Sequence, residues 1–332
     1  MKYLIVDTAN TFFRARHVAF RGADLNEKVG LSIHITMNSV NKVFRKFQAD
    51  HVVFCLEGRS WRKDFYEPYK KNRVVARQAL TEKEQEEDKV FWETFDELTT
   101  FLKEQSNCTV IRNEIAEADD LIARFIDKRP DDEHYIISSD TDFHQLLASN
   151  VKQYNGITNE LHTIDGIFDD HMKPVIDKKT KQPKTIPDPK WILFEKCMRG
   201  DSSDNVFSAY PGVRKKGTKN KVGLLEAYED KDRKGFNWNN LMLQRWVDHN
   251  EKEHRVLDDY ERNRVLIDLT EQPVEIKEFI DETIDTIETK NFPMVGAKFL
   301  KFCGKYDLKK ISDNITSYAE FLQSGYRSNN VN

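Results

Sequence analysis

The chain has 332 residues, with 52 Lys and Arg against 56 Asp and Glu and a formal charge of -4, which is longer than one average domain and predicts an α/β core carrying a second, smaller unit. The longest apolar runs are short and broken by charge, which excludes a helical membrane protein. Cys55, Cys108, Cys197 and Cys303 lie far apart with no C-x-x-C pair, which argues against a zinc site or a disulfide framework; with no signal peptide in MKYLIVDTAN, a reducing cytoplasm is the expected home.

In chain order, YLIV at 3 to 6 reads as a strand ending at Asp7, followed by a helical FFRARHVAF. HVVFCL at 51 to 56 repeats the logic and ends at Glu57-Gly58; NCTVI at 107 to 111 and HYIIS at 134 to 138 are further strands, the last running into Ser139-Asp140. Strands alternating with helices predict a mainly parallel sheet whose ligands bind beyond the strand C-termini, so Asp7, Glu57 and Asp140 should converge at one edge. Between them, Phe91, Phe95, Leu98 and Leu102 mark the inner face of a helix over 82 to 105, and EADDLIARFID at 117 to 127 begins a helix with Glu117, Asp119 and Asp120 in its first turn.

Residues 171 to 189 are Lys- and Pro-rich and predict a hairpin or loop at a domain boundary. Asp188-Pro189 is an N-cap and first-turn pair for a helix through Trp191, Phe194 and Met198. The division expected from this reading is an α/β core over 1 to 190, a helical unit over 191 to 325, and a disordered tail over 326 to 332.

Nine acids then stand at strand ends or helix starts: Asp7, Glu57, Glu117, Asp119, Asp120, Asp140, Asp142, Asp201 and Asp204. Any one alone is an ordinary cap or solvated charge. Gathered in one cleft they would repel one another by kcal/mol amounts unless cations were bound. Oxygen ligands without His or Cys select Mg²⁺, with Mn²⁺ as substitute, and two such ions about 4 Å apart suit in-line attack on a phosphodiester. Removing those nine charges reverses the sign of the chain and with it the apparent argument against a nucleic-acid partner. Asp201 and Asp204, three positions apart, read as one helical turn facing one ion. The cations Arg214, Lys215, Lys216, Lys219 and Lys221 that follow would hold a duplex backbone.

VDTAN at 6 to 10, CLEG at 55 to 58, PYKKNR at 68 to 73, EADD at 117 to 120, SSDTDF at 138 to 143 and GDSSDN at 200 to 205 resemble, in order and spacing, the flap endonuclease or 5′-nuclease family, above all its bacteriophage 5′ to 3′ exonucleases and phage RNase H. The resemblance covers 1 to about 225 and implies a PIN-like core with a helical arch at about 65 to 108 and a helix-hairpin-helix-like duplex-binding domain after 190. It further implies a Mg²⁺-dependent nuclease that acts on 5′ ends and flaps of branched or nicked duplex DNA and RNA-DNA hybrids. Such an enzyme removes primers during replication, alongside replication proteins, as a monomer in the cytoplasm of an infected bacterium.

Residue by residue, the resemblance implies that Asp7, Glu57, Glu117, Asp119, Asp120 and Asp140 surround a first ion and Asp142, Asp201 and Asp204 a second. It makes Lys70 and Arg73 the basic pair at the scissile phosphate, Tyr69 the aromatic on which the terminal base stacks, and Arg14 a cation beside the site. The chain departs from the family in having Glu57 where most relatives have Asp, in displacing the second glycine of the basic hairpin to Gly217, and in adding the basic segment 171 to 187. A PIN-type endoribonuclease and a junction-binding protein with a decayed metal site remain alternatives. A haloacid-dehalogenase phosphatase fails, because Ala9 stands where its second Asp belongs.

Overall fold

The first apolar run forms β1 (Lys2–Asp7), an inner strand of a seven-stranded sheet in the computed structural model. The structure describes residues 1–18, 24–219 and 221–325, without the side chains of 15–18; the tail from 326, read above as disordered, lies outside the described residues. β2 (His51–Leu56) and then β3 (Thr109–Arg112) lie to one side of β1; β4 (Glu133–Ile137), β5 (Val151–Asn155), β6 (Glu160–Thr163) and β7 (Gly166–Phe168) lie to the other. The first five strands are mutually parallel, β6 runs back, and β7 is antiparallel to β6. Parallel strands covered on both faces need unbroken apolar sequence, and Tyr3 to Val6 and Val52 to Cys55 are fully buried. The order of the strands reverses between β1 and β4, which makes the ends of these two strands the switch point where such sheets place their ligands.

α1 (Thr8–Val18) and α2 (Leu25–Phe47) lead from β1 to β2. α2 starts at a capping box of Asp24 and Glu27 and buries Val29, Ile33, Met37, Val40 and Phe44 along one stripe. α3 (Arg62–Phe65) and α4 (Lys71–Gln78) follow β2, then α5 (Glu82–Gln105), capped by Thr81 with Glu84 and buried along the predicted stripe of Phe91, Phe95, Leu98 and Leu102. α6 (Ala118–Asp127) joins β3 to β4.

The remaining elements are α7 (Pro189–Arg199), α8 (Leu224–Glu229), α9 (Phe236–Met242), the hairpin of β8 (Arg245–Val247) and β9 (Glu253–Arg255), α10 (Val256–Ile267), α11 (Val274–Asp285), α12 (Val295–Lys305), α13 (Lys309–Ser312) and α14 (Ile315–Leu322). Asp188 caps α7 from the position the sequence assigned to it, accepting the N–H groups of Lys190 and Trp191. Among the described residues no helix is long and apolar enough to cross a membrane.

The chain forms two compact units, one of Met1–Arg59, Leu80–Ile186 and Glu275–Asn332, the other of Ser60–Ala79 and Pro187–Val274. This differs from the single division expected near 190, and the reason is packing that the local sequence does not encode. In the first unit Val295, Phe299 and Phe321 enter the same core as Phe44 and Phe101, so the chain after 274 completes the sheet domain. In the second, Tyr69 packs with Cys197, Val206, Leu266 and Ile267, and the Arg62 Nε donates to the Leu266 carbonyl at 2.8 Å.

Candidate active site

In the first unit the acids gather where the parallel strands end. Asp7 closes β1 with only 4 % of its surface exposed; one carboxylate oxygen accepts from the Ser138 hydroxyl at 2.8 Å and the other from the Asn10 N–H at 3.3 Å. Burial, the charge of Glu57 and that of Asp140 push its pKa up to about 7 against the pull of those two hydrogen bonds. Cys55, one residue before the end of β2, is raised well above an ordinary thiol by burial and then by Asp7, Asp119 and Glu57, so these acids share one neighbourhood.

Close backbone packing brings Glu57 there. The Gly58 N–H donates to the Ala116 carbonyl at 2.9 Å, and a Cβ at Gly58 would meet the Asn113 carbonyl oxygen at 1.9 Å, so only glycine fits. Glu57 then reaches the start of α6, where its Oε2 accepts from the Ala118 N–H at 3.1 Å. The extra methylene relative to Asp is thus used on the helix N-terminus. Glu117 is the N-cap of the same helix; Asp120, wholly buried, accepts the Glu117 N–H at 3.2 Å, while Asp119 is half-buried. Beyond β4, Asp140 accepts the Asp142 N–H at 2.9 Å and caps the short 3₁₀ turn Thr141–Leu146.

Arg14, on α1, donates to the Ser39 hydroxyl at 3.2 Å. Its pKa is lowered by burial, with Tyr154 and Asp7 acting the other way, so this cation belongs to the acidic neighbourhood.

In the second unit Asp201 and Asp204 do not lie on a helix, as their spacing suggested. Gly200 ends α7 at φ +74, where a Cβ would meet the Val206 carbonyl oxygen at 2.4 Å, and Asp201 and Val206 close a tight loop by exchanging hydrogen bonds of 2.8 and 2.7 Å. The Asp201 carboxylate accepts the N–H and hydroxyl of Ser203, at 2.8 and 2.7 Å, which offers the backbone an alternative to a helical turn. Burial opposes ionisation of Asp201, yet Lys196 at 2.8 Å and Ser203 outweigh it and bring the pKa down to about 2.

Asp204 takes three partners from the start of α4 and the two residues before it: the Arg73 guanidinium, the Tyr69 hydroxyl at 3.0 Å and the Lys70 ammonium at 3.6 Å. The Lys70 N–H also donates to the Asp204 carbonyl at 2.8 Å, and Lys70 adopts φ +54, a left-handed conformation that side chains other than Gly, Asn and Asp seldom occupy. Tyr69 is only 5 % exposed. Its ring packs in the small core with Cys197, Val206, Leu266 and Ile267, and its hydroxyl donates to Asp204. Arg214, Lys215, Lys216, Lys219 and Lys221 are all exposed, on a loop anchored to α8 by main-chain bonds from Leu224 to Arg214 and from Leu225 to Lys215.

Among the described residues no three His, Cys, Asp or Glu side chains lie close enough to hold one ion together. Asp7, Glu57, Asp120, Asp140, Asp201 and Asp204 are instead turned onto a neighbouring N–H, hydroxyl or cation. The donor set nonetheless suits a hard divalent cation, being all oxygen, and the raised pKa of Asp7 beside Glu57 and Asp140 is the strain that such a charge relieves.

The sequence reading missed Asn10, whose side-chain oxygen accepts the N–H and hydroxyl of Ser139 at 3.1 and 2.9 Å and ties the start of α1 to the end of β4. It missed Ser138 and Lys196 as well. Asn10 and Ser138 sit inside the motifs quoted for Asp7 and Asp140, so their adjacency was the available signal; Lys196 carried none.

Three comparisons bear on this geometry. The N-terminal resolvase-like domain of 5′-3′ exonucleases matches residues 2–174. The chain is similar to the flap endonuclease Xni of Shewanella piezotolerans, 26 % identical over 68 % of this chain and 77 % of that one, and to ribonuclease H of Enterobacteria phage T4, 31 % identical over 55 % of each. A solved structure of the bacteriophage T5 flap endonuclease, a pseudo-enzyme–product complex with DNA and metal ions, shares the fold with a TM-score of 0.55 over 96 % of this chain and all of that one, at 17 % identity.

Proposed function

The chain belongs to the 5′-3′ exonuclease family, the 5′-nucleases in the wider sense, and from that premise we propose that it is a structure-specific 5′ nuclease. It hydrolyses phosphodiesters at the 5′ ends and flaps of duplex DNA and RNA-DNA hybrids, with two Mg²⁺ ions as cofactors and primer and flap removal in replication as its role. The observation that carries this reading is Asp7, buried at the switch point of the parallel sheet and crowded by Glu57 and Asp140.

The residues that would hold divalent cations are Asp7, Glu57, Glu117, Asp119, Asp120, Asp140 and Asp142 in the first unit and Asp201 and Asp204 in the second. Bound there, such cations supply the Lewis acidity that activates water and polarises the scissile phosphodiester. Ser138 and Asn10 fix the Asp7 carboxylate by direct hydrogen bonds, and the Ala118 N–H fixes Glu57. Lys70 and Arg73, held ready on Asp204, offset charge that develops on the non-bridging phosphate oxygens. Arg14 adds positive charge beside Asp7. No nucleophilic Ser or Cys is needed, and the exposed lysines of the loop 214 to 221 hold the duplex by its phosphates.

The test offers the full chain 5′-flap, nicked and RNA-primed duplexes and unstructured RNA side by side in Mg²⁺, scored by product length. Release of short 5′ products from the duplexes supports the reading. Cleavage of the unstructured RNA alone would make the chain an endoribonuclease, and junction binding without cleavage in either Mg²⁺ or Mn²⁺ would make it a binding protein.

A further inference from the structure

The segment after β7 carries Lys173, Lys178, Lys179, Lys181 and Lys184 against a single acid, Asp177, between 171 and 187. It is a built hairpin. Val175 donates its N–H to the Ile167 carbonyl at 2.9 Å, Lys184 to Val175 at 2.7 Å, and Ile167 to Lys184 at 3.1 Å, so both arms are tied to the edge of the sheet and to each other. Asp177 closes the far turn: its N–H donates to the Gln182 carbonyl at 2.8 Å, and its carboxylate accepts the N–H groups of Lys179 and Thr180, both at 2.8 Å. The base is pinned by Asp170, which takes the ammonium groups of Lys42 and Lys46 and the Tyr154 hydroxyl at 2.9 Å.

Asp177 and the two acids just before the stretch are therefore all engaged. Asp169 accepts the N–H groups of His171 and Lys173, Asp170 holds the base, and Asp177 shapes the turn. Lys178, Lys179 and Lys181 are left exposed at the tip with no acidic partner among the described residues, and Met172 and Ile176 nearby are about half exposed, at 51 % and 49 %. Lysines also guard exposed sheet edges against pairing with other strands. That role accounts for Lys173 and Lys184, which lie on the main-chain-bonded arms. It does not account for Lys178, Lys179 and Lys181, which lie in the turn closed by Asp177 and Gln182, past the paired arms.

We propose that this hairpin is a second phosphate-binding surface, whose tip lysines contact the backbone of the duplex substrate away from the scissile bond. The partner's chemistry rests on the nuclease reading above. β7 is separated from β1 by β4, β5 and β6, four strand spacings of about 4.8 Å or roughly 19 Å in all. With one phosphate per 3.4 Å along each strand, that is about six nucleotides, so the tip engages phosphates other than the one being cut. Its contribution is to affinity, in a sequence-independent and salt-sensitive form.

The experiment measures binding of a 5′-flap duplex in EDTA across a salt series, and separately the single-turnover cleavage rate at saturating duplex in Mg²⁺. The variants are Lys178→Ala/Lys179→Ala/Lys181→Ala and the corresponding triple Arg variant. At about 0.9 per neutralised phosphate, the Ala variant flattens the slope of log K against log salt by up to about 2.7, the Arg variant keeps it, and the saturated rate is unchanged in both. Because these side chains are exposed, both variants melt with the wild type. An unchanged slope overturns the proposal while the nuclease reading stands. So does a fall in saturated rate as large as the fall in affinity. Wild-type protein that neither binds nor cuts the flap duplex overturns both readings.

Discussion

Asp7 shows what one residue contributes at this site. Its folded pKa of about 7 stands above the ordinary 3.8, so between those values the folded chain retains a proton that the unfolded chain has released. Stability from this group is complete below pH 4 and is lost as the pH rises through 7, on the order of a few kcal/mol for a group so buried. Asp7→Asn removes the charge and keeps the shape. In EDTA at pH 8 the variant should therefore melt several degrees above wild type, with the gap closing toward pH 4, while cleavage in Mg²⁺ is lost. Thermal melts across that pH range check it, and equal melting temperatures at pH 8 would mean that Asp7 is not under charge strain. Lys70 makes the complementary case. Its Nζ lies 3.6 Å from Asp204 and its backbone is pinned in a left-handed conformation, so Lys70→Ala leaves the main chain in place and removes one cation. Rapid-quench single-turnover rates should fall roughly 10²-fold with flap affinity little changed, as expected for loss of one preorganised donor; an unaltered rate would make Lys70 an ordinary partner of Asp204.

At the scale of elements, the loop from Gly200 to Val206 and helix α12 make opposite predictions for the same substitution. Gly200→Ala forces a Cβ into the Val206 carbonyl at φ +74 and should cost about 1–3 kcal/mol and displace Asp201 and Asp204. Gly304→Ala, in α12 with nothing within 4 Å of the new Cβ, should stabilise by about 0.4–1 kcal/mol. Urea melts of the two variants decide, and a shared sign would refute the contrast. The strands leading to Asp7, Glu57 and Asp140 were legible because each ends in a short apolar run that an acid follows within three residues. α5 and α6 were legible through their stripe and first-turn acids. α2 was missed although Asp24 and Glu27 form a capping box ahead of a regular apolar stripe; the signal was present and unread. The loop at 201 to 204 was misread because an i, i+3 pair of acids fits a helix and an Asp-initiated turn equally well, and only the left-handed Gly200 separates them. Nor could spacing show that Tyr69 is buried, since its neighbours in the small core come from residues 197 to 267.

For the whole molecule, the division into units was illegible for the same reason, because it is made by contacts between distant stretches. Val295, Phe299 and Phe321 are buried among Phe44, Phe101 and their neighbours, so the sheet domain needs the chain after 274. A fragment of residues 1 to 190, cut where composition suggested a boundary, should lack that wall of its core. It should bind hydrophobic dye and lose the near-ultraviolet circular dichroism of the intact chain. A fragment 1 to 190 with a cooperative melt equal to that of the full chain would show that the C-terminal helices are an accessory.

Net charge has the same character, since a total of -4 conceals where the cations are free to act. Arg214, Lys215, Lys216, Lys219 and Lys221 are exposed on a loop whose shape comes from main-chain bonds to α8 and from Glu226, which accepts the Gly217 N–H at 2.8 Å. Those lysine side chains are not needed for the loop's conformation, so replacing them tests electrostatics alone. Lys215→Ala with Lys216→Ala should weaken duplex binding equally for every sequence and flatten the salt slope by up to about 1.8, at about 0.9 per phosphate. Turnover at saturating substrate should stay unchanged, because phosphate contacts remote from the cut position the duplex and do not stabilise the transition state. Fluorescence anisotropy across a salt series, paired with single-turnover rates, reads both quantities. A slope that does not move would mean that the loop faces solvent in the complex, and a rate that falls with the affinity would place these lysines at the scissile phosphate instead.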